Sequence, residues 1–426
     1  CLSFLPLTPF RMTPSTPPTP TPTPAPTPAP APAVAPIPPF DLRRHVGYFG
    51  YCLASLPSEY TSLDTNRLTL VHFCVHSLGI LGVLDQVLES RGGAGNGGSG
   101  GLTVRESVAL WIMNLITDDV VNGCTLRGGT FSGRGFVDYM KAEGEGVGLG
   151  EMVREPFNEY DFGHIAMTYT GLLTLRQISK EKEANTTQNT TGIGILKNTT
   201  GLVEHYKGHI LKSLKPLQQS NGSFTACTGQ CGSESDMRFT FCAVAIAYML
   251  GDRSMSSFDK RRTLEFIKNC RGYDGGFSLV EGQESHGGST LCAVASLELM
   301  GELGNVLDGE DGWRDQLVQW CVMKQKGGLV GRTNKVEDSC YSFWVGGTLK
   351  LLGKEDLLDH GRMRDFLMRC QHPKFGGFGK AIGSFPDVLH SFYSLCWLSI
   401  SKSVPNLTEV DVALGCAADL ALLYRV

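Results

Sequence analysis

The chain has 426 residues, a formal net charge of -4 and 42% hydrophobic residues. A slightly acidic chain has no long-range attraction for nucleic acid or for an anionic membrane surface, so neither kind of partner is indicated. The longest uninterrupted apolar run, residues 241–250, is too short to span a membrane. Because the 14 cysteines are scattered and often lie inside apolar runs, we expect reduced thiols and a cytoplasmic protein.

The first 39 residues differ in composition from the rest of the chain. Of the 21 prolines, 15 lie before residue 41, among threonine and alanine. Such a stretch has too few large apolar groups to offset the entropy of ordering, so residues 1–39 are predicted to be a disordered leader. Residues 40–426 are predicted to form one domain, with flexible insertions at about 91–101, which is rich in glycine, and at about 183–201.

The first half of this domain predicts helices that alternate with polar turns. Residues 40–56 and 63–85 are two such segments, and the second has Asp64 or Thr65 as its expected N-cap. Another helix is predicted at 104–116. A further apolar helix follows the sequence DFGH at 161–164.

The second half of the chain repeats one pattern. A helix is followed by a glycine-containing turn, and an acidic residue then precedes an apolar helix. The turns lie at 221–224, 274–277, 326–329 and 375–378, and the acidic residues are Asp236, Glu284, Asp338 and Asp387, about 50 residues apart. Together with Asp64 and Asp161 they give about six units, a spacing typical of stacked helical hairpins.

Six hairpins can close into a ring, which predicts an all-α fold, an α-α toroid (α6-α6 barrel) with inner and outer helices. An open solenoid is the alternative, but its ends would need polar caps. In a closed ring, the residues two or three places after each acidic residue lie at one end of the barrel. These residues are Arg238, His286, Cys340, Leu389 and His390. Arginine, histidine and cysteine at one rim indicate a site.

Three residues at this rim suit a metal ion. Asp338, Cys340 and His390 offer a carboxylate, a thiolate and an imidazole. Three protein donors leave one coordination position open, which is typical of catalytic zinc. A capped helix with a core cysteine is the plainer interpretation of Asp338 and Cys340, and the matching histidine one repeat later argues against it.

An anion site is predicted beside the metal site. Arg332, Lys335, His286 and Tyr341 supply two permanent cations, a histidine and a phenol. Such groups can stabilise the charge that grows on a departing diphosphate, with the barrel interior left for an apolar tail. A solvated surface cluster is the alternative, especially for Lys335.

Several segments closely resemble the β subunits of protein prenyltransferases, in particular those of the type I geranylgeranyltransferase group. The segments are 63–73, 161–173, 236–250, 284–301, 331–352 and 386–393. The likeness extends from about residue 40 to 400, apart from the two insertions. The resemblance implies an obligate heterodimer with an all-helical α subunit. It also implies transfer of geranylgeranyl from geranylgeranyl diphosphate to the cysteine of CaaX proteins, such as small GTPases, as a thioether.

The same resemblance implies roles for individual residues. Zinc would be held by Asp338, Cys340 and His390, and the diphosphate by His286, Arg332, Lys335 and Tyr341. Arg238 resembles a residue at the mouth of the isoprenoid tunnel. The peptide pockets would be formed by Thr65, Thr69, Phe73, His164, Ala166, Phe239 and Leu389, and these indicate CaaX tails that end in leucine or a similar apolar residue.

Two positions separate this group from its sibling, the farnesyltransferases. The sibling has a tryptophan where this chain has Thr69, and the smaller residue leaves room for a twenty-carbon tail. It also uses an aspartate to hold magnesium where this chain has Lys380, so activity without magnesium is expected. A farnesyltransferase β subunit and a non-catalytic helical scaffold remain the alternatives. A terpene cyclase would need an Asp-rich motif that the sequence lacks.

Overall fold

The structure, a computed structural model, describes residues 36–90, 103–119, 123–129, 163–179, 190–227, 234–309 and 311–425. The predicted leader up to residue 35 and the predicted insertion at 91–101 lie outside these residues, and so does Asp161. Within the described ranges, no helix is both long enough and apolar enough to cross a membrane.

Helices dominate the described residues, with short strands between them. In chain order the elements are α1 (Leu42–Ala54), a 3-10 helix (Ser58–Asn66), α2 (Arg67–Ile80), α3 (Leu84–Leu88), α4 (Val104–Met113), β1 (Ile116–Asp119), β2 (Gly123–Leu126), α5 (Ile165–Ser179), α6 (Thr190–Leu217), β3 (Phe224–Thr225), β4 (Ser235–Asp236), α7 (Met237–Met249) and α8 (Lys260–Asn269). There follow α9 (Gly287–Leu299), α10 (Leu303–Leu307), α11 (Trp313–Val322), α12 (Tyr341–Leu351), a 3-10 helix (Glu355–Leu357), α13 (His360–Cys370), β5 (Phe378–Gly379), β6 (Pro386–Asp387), α14 (Val388–Ile400), β7 (Val410–Asp411), β8 (Cys416–Ala417) and α15 (Ala418–Arg425).

Six of the described helices form a closed inner ring. Each of α2, α5, α7, α9, α12 and α14 packs on the next, and α14 packs back on α2. Outside the ring, α1 packs on α2, α4 and α6 pack on α5, and α11 packs on α12. The prediction of an α-α toroid is confirmed, and the open solenoid is excluded because the last inner helix contacts the first.

Helix composition explains which helices lie inside. Helix α7 is apolar on all sides, and nearly all of its residues are buried. Helix α8 begins with Lys260-Arg261-Arg262 and buries only Thr263, Phe266 and Ile267. A helix that is apolar all round must be surrounded by protein, whereas one with an apolar stripe covers a core from outside.

The acidic residues that precede the inner helices act in different ways. Asp236 and Asp387 are the N-caps of α7 and α14, as predicted. The prediction is wrong for Glu284, because His286 caps α9 by accepting a hydrogen bond from the backbone N–H of Gly288 at 3.0 Å. Asp338 accepts from the backbone N–H of Cys340, which is itself the N-cap of α12.

The predicted N-cap of α2 is also wrong. Helix α2 begins after Asn66, and that N-cap makes no side-chain hydrogen bond. The chain enters α2 through the preceding 3-10 helix, and the carbonyl of Gly128 accepts from the backbone N–H of Leu68 at 2.9 Å. A carbonyl from another segment thus satisfies a donor that a capping side chain would otherwise take.

Short antiparallel strand pairs, which the sequence did not predict, deliver the chain to two inner helices. In β3–β4 Phe224 lies opposite Asp236, and in β5–β6 Phe378 lies opposite Asp387. Both phenylalanines are fully buried. Each pair therefore buries an aromatic anchor and places the acidic N-cap at the end of the ring.

Helix α6 begins inside the segment predicted as the second insertion. It starts at Thr190, while residues 183–189 lie outside the described residues. Its buried residues Tyr206, Ile210, Leu214 and Leu217 follow a spacing of three to four, which makes one apolar stripe. The first turns of this helix were not predicted from the sequence, because residues 184–200 are rich in Asn, Thr and Gly.

A buried histidine joins the first outer helix to the last repeat. The Nδ1 of His45 accepts from the backbone N–H of Gly377 at 3.0 Å, so its Nε2–H donates to the side-chain oxygen of Gln371 at 2.9 Å. The imidazole stacks on Phe40 and Phe378, with ring centroids 4.7 Å away in each case. These residues form the closing clasp of the ring.

We expect the clasp to weaken in acid. Burial lowers the pKa of His45 to about 4. The unfolded state would take up its proton first, so the free energy of unfolding should fall as pH drops from about 6.5 to about 4, by up to about 3 kcal/mol. Urea unfolding of the wild type and of His45→Gln across this range measures the effect. The gap between the two proteins should narrow toward acid, and parallel curves would contradict the assignment.

Candidate metal centre and anion-binding rim

The N-terminal ends of α12 and α14 bring together the three residues predicted to bind metal. One donor atom from each of Asp338, Cys340 and His390 lies within 4.8 Å of the other two. The Nε2 of His390 is 3.2 Å from Oδ1 of Asp338. All three are largely buried, so their polar atoms face one another and not bulk water.

A fourth residue orients the histidine. The Nδ1–H of His390 donates to Oδ2 of Asp387 at 2.6 Å, and the other carboxylate oxygen accepts from the backbone N–H of His390 at 2.9 Å. A carboxylate behind an imidazole is the usual support of a metal-bound histidine. The predicted N-cap therefore has a second task, which is to direct Nε2 toward Asp338 and Cys340.

The charges of this group suit a divalent cation. Burial lowers the pKa of His390, but hydrogen bonds to Asp338 and Asp387 outweigh it and raise the pKa well above 6.5. Burial and the Asp338 carboxylate raise the pKa of the Cys340 thiol to about 12. A metal ion among these atoms would take the place of the imidazole and thiol protons. A carboxylate, a sulfur and an imidazole nitrogen together fit zinc.

Lys380 lies at the edge of this group. Its Nζ is 3.8 Å from Oδ2 of Asp338, and its side chain is about half exposed, so it is a screened neighbour of the carboxylate. The backbone around it holds the centre more firmly. Ser339 donates through its backbone N–H to the carbonyl of Lys380 at 2.9 Å and through its hydroxyl to the carbonyl of Gly379 at 2.8 Å. These bonds join the α12 loop to the β5–β6 segment.

His286 and Tyr341 form one part of the predicted anion site. The Nδ1 of His286 accepts from a backbone N–H, so its Nε2–H donates to the phenol oxygen of Tyr341 at 2.8 Å. Burial and the nearby Arg332 cation lower the pKa of His286 to about 4, which leaves the ring neutral. The phenol proton of Tyr341 can then be donated to an anion.

The cations predicted at this rim have different surroundings. Arg332 is partly exposed and lies 3.5 Å from the carboxylate of Glu284. Lys335 is exposed. Arg238 is mostly buried and pairs with Asp236 and Glu234, each at 2.6 Å. Because Arg332 and Lys335 reach the surface, they can meet an incoming anion, whereas Arg238 is mostly buried against two carboxylates.

Gly331 sets the position of Tyr341. A Cβ added at Gly331 would lie 2.0 Å from Cζ of Tyr341. We expect Gly331→Ala to push the phenol away from His286, to weaken diphosphate affinity about 10-fold, and to cost about 1–3 kcal/mol of stability. Calorimetric titration with inorganic diphosphate measures the affinity. Gly47→Ala, at an open position on α1, is the matched control; it should leave the diphosphate affinity unchanged and raise stability by up to about 1 kcal/mol, as alanine does inside a helix. Unchanged diphosphate affinity in Gly331→Ala would contradict this role of Tyr341.

A small aromatic-lined cavity lies inside the ring, with a volume of about 20 Å³. Its lining includes His72, Tyr169, Phe241, Phe343, Trp344, Phe392 and Tyr393. Thr69 precedes His72 by three residues on α2, so it faces the same side, and it is buried with its hydroxyl 3.3 Å from the sulfur of Met167. The aromatic lining of the cavity is suited to contacts with an unsaturated hydrocarbon chain.

Most of the residues predicted for the peptide pockets lie at or just before the start of an inner helix, whereas Phe73 lies in the middle of α2. His164 precedes α5, where its Nδ1 accepts from the backbone N–H of Ala166 at 3.1 Å, and its ring contacts Phe239. Burial and the Arg238 cation lower the pKa of His164 to about 4. Phe73, Ala166, Phe239 and Leu389 are buried, whereas Thr65 is exposed.

Two features of the site were not found from the sequence. The contact between Asp387 and His390 could have been suspected from their spacing of three, but this spacing also fits an ordinary N-cap. The cavity-lining aromatics gave no separate signal, because aromatic residues on a buried helix look the same whether they fill a core or line a cavity.

The sequence of the chain is similar to those of known proteins. A family model described as the prenyltransferase alpha-alpha toroid domain matches residues 40–416. The chain is 35% identical over 368 residues to the geranylgeranyl transferase type-1 subunit beta of Arabidopsis thaliana, covering 85% of each chain. It is 31% identical over 371 residues to the Dictyostelium discoideum protein of the same name, covering 85% of this chain and 91% of the relative.

A solved structure has the same fold. The Candida albicans protein geranylgeranyltransferase-I complexed with GGPP matches with a TM-score of 0.67 and 21% identity, covering 90% of this chain and 98% of that chain. At this level of identity the match supports the toroid fold alone.

Proposed function

The chain belongs to the prenyltransferase alpha-alpha toroid family, and we propose that it is the catalytic β subunit of a zinc-dependent protein geranylgeranyltransferase type I. The proposed reaction moves a geranylgeranyl group from its diphosphate to the cysteine of a C-terminal CaaX sequence, where X is mainly leucine. The observation that carries this proposal is a group of three residues that could hold a metal ion, next to cationic and phenolic groups, in a ring with aromatic residues in its interior.

The residues of the triad fit the first part of this reaction. Asp338, Cys340 and His390 would hold zinc, with the substrate cysteine in the open position. Bound zinc lowers the pKa of a coordinated thiol, so that a thiolate exists at neutral pH. Asp387 fixes the orientation of the His390 ring through its 2.6 Å hydrogen bond, and burial of the triad excludes water.

The anion-binding rim fits the second part. A carbon–sulfur bond forms at the first carbon of the isoprenoid while the carbon–oxygen bond to diphosphate breaks, and the electron pair leaves with the diphosphate. Tyr341 can donate to the departing oxygens, and Arg332 and Lys335 can balance their charge. Groups fixed before the reaction begins stabilise this charge more effectively than mobile water does.

We further propose that the chain works with a prenyltransferase α subunit. Near the metal centre, Phe375, Ile382 and Phe385 are 48%, 59% and 77% exposed, and His372 stacks on both phenylalanines. Exposed apolar groups of this size commonly mark protein contacts. The relatives' names call them subunits, which also supports a partner chain.

The proposed preference for the twenty-carbon donor rests on Thr69. The proposed activity without magnesium rests on Lys380. The ammonium of Lys380 lies beside Asp338 and can supply the positive charge that a second metal ion would otherwise bring. A farnesyltransferase β subunit is the alternative. It would be expected to prefer the fifteen-carbon donor, to accept tails ending in serine, and to need magnesium.

The proposal is tested by prenyl transfer with the chain co-purified with an α subunit. Labelled geranylgeranyl and farnesyl diphosphates are offered with peptides ending in CaaL or CaaS, with zinc and without magnesium. Geranylgeranyl transfer to CaaL should predominate. A preference for farnesyl and CaaS, or a need for magnesium, would favour the sibling enzyme. No transfer at all would favour a non-catalytic scaffold.

A further inference from the structure

Lys324 is a buried cation close to the anion-binding rim. Lys324 is only 6% exposed. It lies in the turn between α11 and residues 332–335, which we call the Arg332–Lys335 loop. Its Nζ donates to the hydroxyl of Thr333 at 3.2 Å and lies 4.5 Å from the ring centre of Trp320. Lysine is seldom buried to this degree without a charged partner.

The neighbouring carboxylates are engaged elsewhere. Asp274 accepts from the indole N–H of Trp320 at 2.8 Å and from the hydroxyl of Ser285. Glu284 pairs with Arg332. Burial lowers the pKa of Lys324, while the more distant charges of Asp274 and Glu284 raise it. Among the described residues, Lys324 takes part in no ion pair within 4.0 Å.

The lysine also anchors the loop that carries the anion-binding cations. Its carbonyl accepts from the backbone N–H of Val330 at 3.0 Å, and its ammonium holds Thr333, the residue after Arg332. The next residue, Asn334, has a φ of 59°, a left-handed conformation that asparagine adopts more readily than most residues. The bonds of Lys324 therefore link the start of this turn, at Val330, to its exposed part, at Thr333.

We propose that Lys324 is a positioning residue of the diphosphate site. Its ammonium fixes Thr333, and through it the Arg332–Lys335 loop, and its charge adds a positive potential near Arg332, where the anion would bind. A diphosphate would thus provide the counter-charge that this buried cation lacks among nearby carboxylates. The inference rests on the proposed function, since it assigns a new member to that site.

The test compares variants of the heterodimer by titration with inorganic diphosphate at several salt concentrations. Lys324→Met keeps the apolar stem and removes the charge, and we expect it to weaken binding about 10- to 100-fold and to flatten the salt dependence. Lys324→Arg should recover most of the affinity. Thr333→Val keeps the charge but removes the hydrogen bond, so an intermediate loss of about 3- to 10-fold is expected.

The control is Lys268→Met, which removes an exposed lysine from α8 and should leave diphosphate binding unchanged. Transfer kinetics add a second readout, because a diphosphate-site residue should raise KM for the prenyl diphosphate and leave KM for the peptide unchanged. Unchanged binding in Lys324→Met or Thr333→Val, or a loss that arginine does not recover, would overturn the inference. If the wild type binds no diphosphate, the proposed function itself fails.

Discussion

Cys340→Ala should abolish prenyl transfer. The thiol is one of the three donors that would hold zinc, and the remaining Asp338 and His390 offer too few ligands for a stable tetrahedral site. We expect bound zinc to fall from about one per heterodimer to near zero, and kcat/KM to fall at least about 10³-fold, which corresponds to about 4 kcal/mol. Metal analysis of the purified heterodimer and a transfer assay with a CaaL peptide measure the two effects.

Cys370→Ala is the matched control for this variant. Cys370 is also buried, and burial raises the pKa of its thiol to about 12, as it does for Cys340. It ends α13 and is not a member of the triad. Removing it should leave the zinc content and kcat/KM near the wild-type values. Full zinc binding in Cys340→Ala, or equal losses in both variants, would contradict the assignment.

Thr69→Trp should change the preferred chain length of the donor. The inner face of α2 carries Thr69 one turn before His72, which lines the aromatic cavity. An indole at this position would fill the space needed by the last isoprene unit. We expect kcat/KM for geranylgeranyl diphosphate to fall at least about 10²-fold, while farnesyl diphosphate is used as well as before or better. Competition between the two labelled donors gives the ratio directly.

A tryptophan elsewhere on the same helix controls for its bulk. Val71 lies two residues further along α2, on the other side of the helix, and is only partly buried. Val71→Trp adds a similar side chain without reaching the cavity, so the donor ratio should stay at the wild-type value. Equal ratios in Thr69→Trp and the wild type would show that another residue limits the chain length.

The ring and its rim could be predicted because the repeat is long and regular. A spacing of about 50 residues places Cys340 and His390 at matching ends of successive units, with Asp338 just before Cys340, and the packing of neighbouring inner helices brings the three together. The residue types then distinguish a metal site from a packed core, because a carboxylate, a thiol and an imidazole are seldom placed together in a core without a ligand. The type and the location of the site therefore follow from order along the chain.

Finer contacts could not be predicted, for physical reasons. Strands of two residues, such as Phe378–Gly379, are too short to show the alternation of polar and apolar residues by which a strand is recognised. Glu284 and His286 are both able to cap α9, and only backbone geometry decides between them. Lys324 lies next to a glycine-rich turn, where an exposed lysine is the ordinary expectation. Its burial depends on Trp320, which belongs to the preceding helix.

The closing clasp also has a consequence for the way the chain folds. His45 and Gln371 are 326 residues apart, so the ring cannot close during synthesis until almost the whole domain has left the ribosome. Until then, inner helices such as α7 and α14 have apolar faces without their final neighbours. Contacts between residues so far apart in sequence slow folding, and exposed apolar helices favour aggregation. We therefore expect nascent chains of this toroid to depend on chaperones until the last inner helix docks on the first.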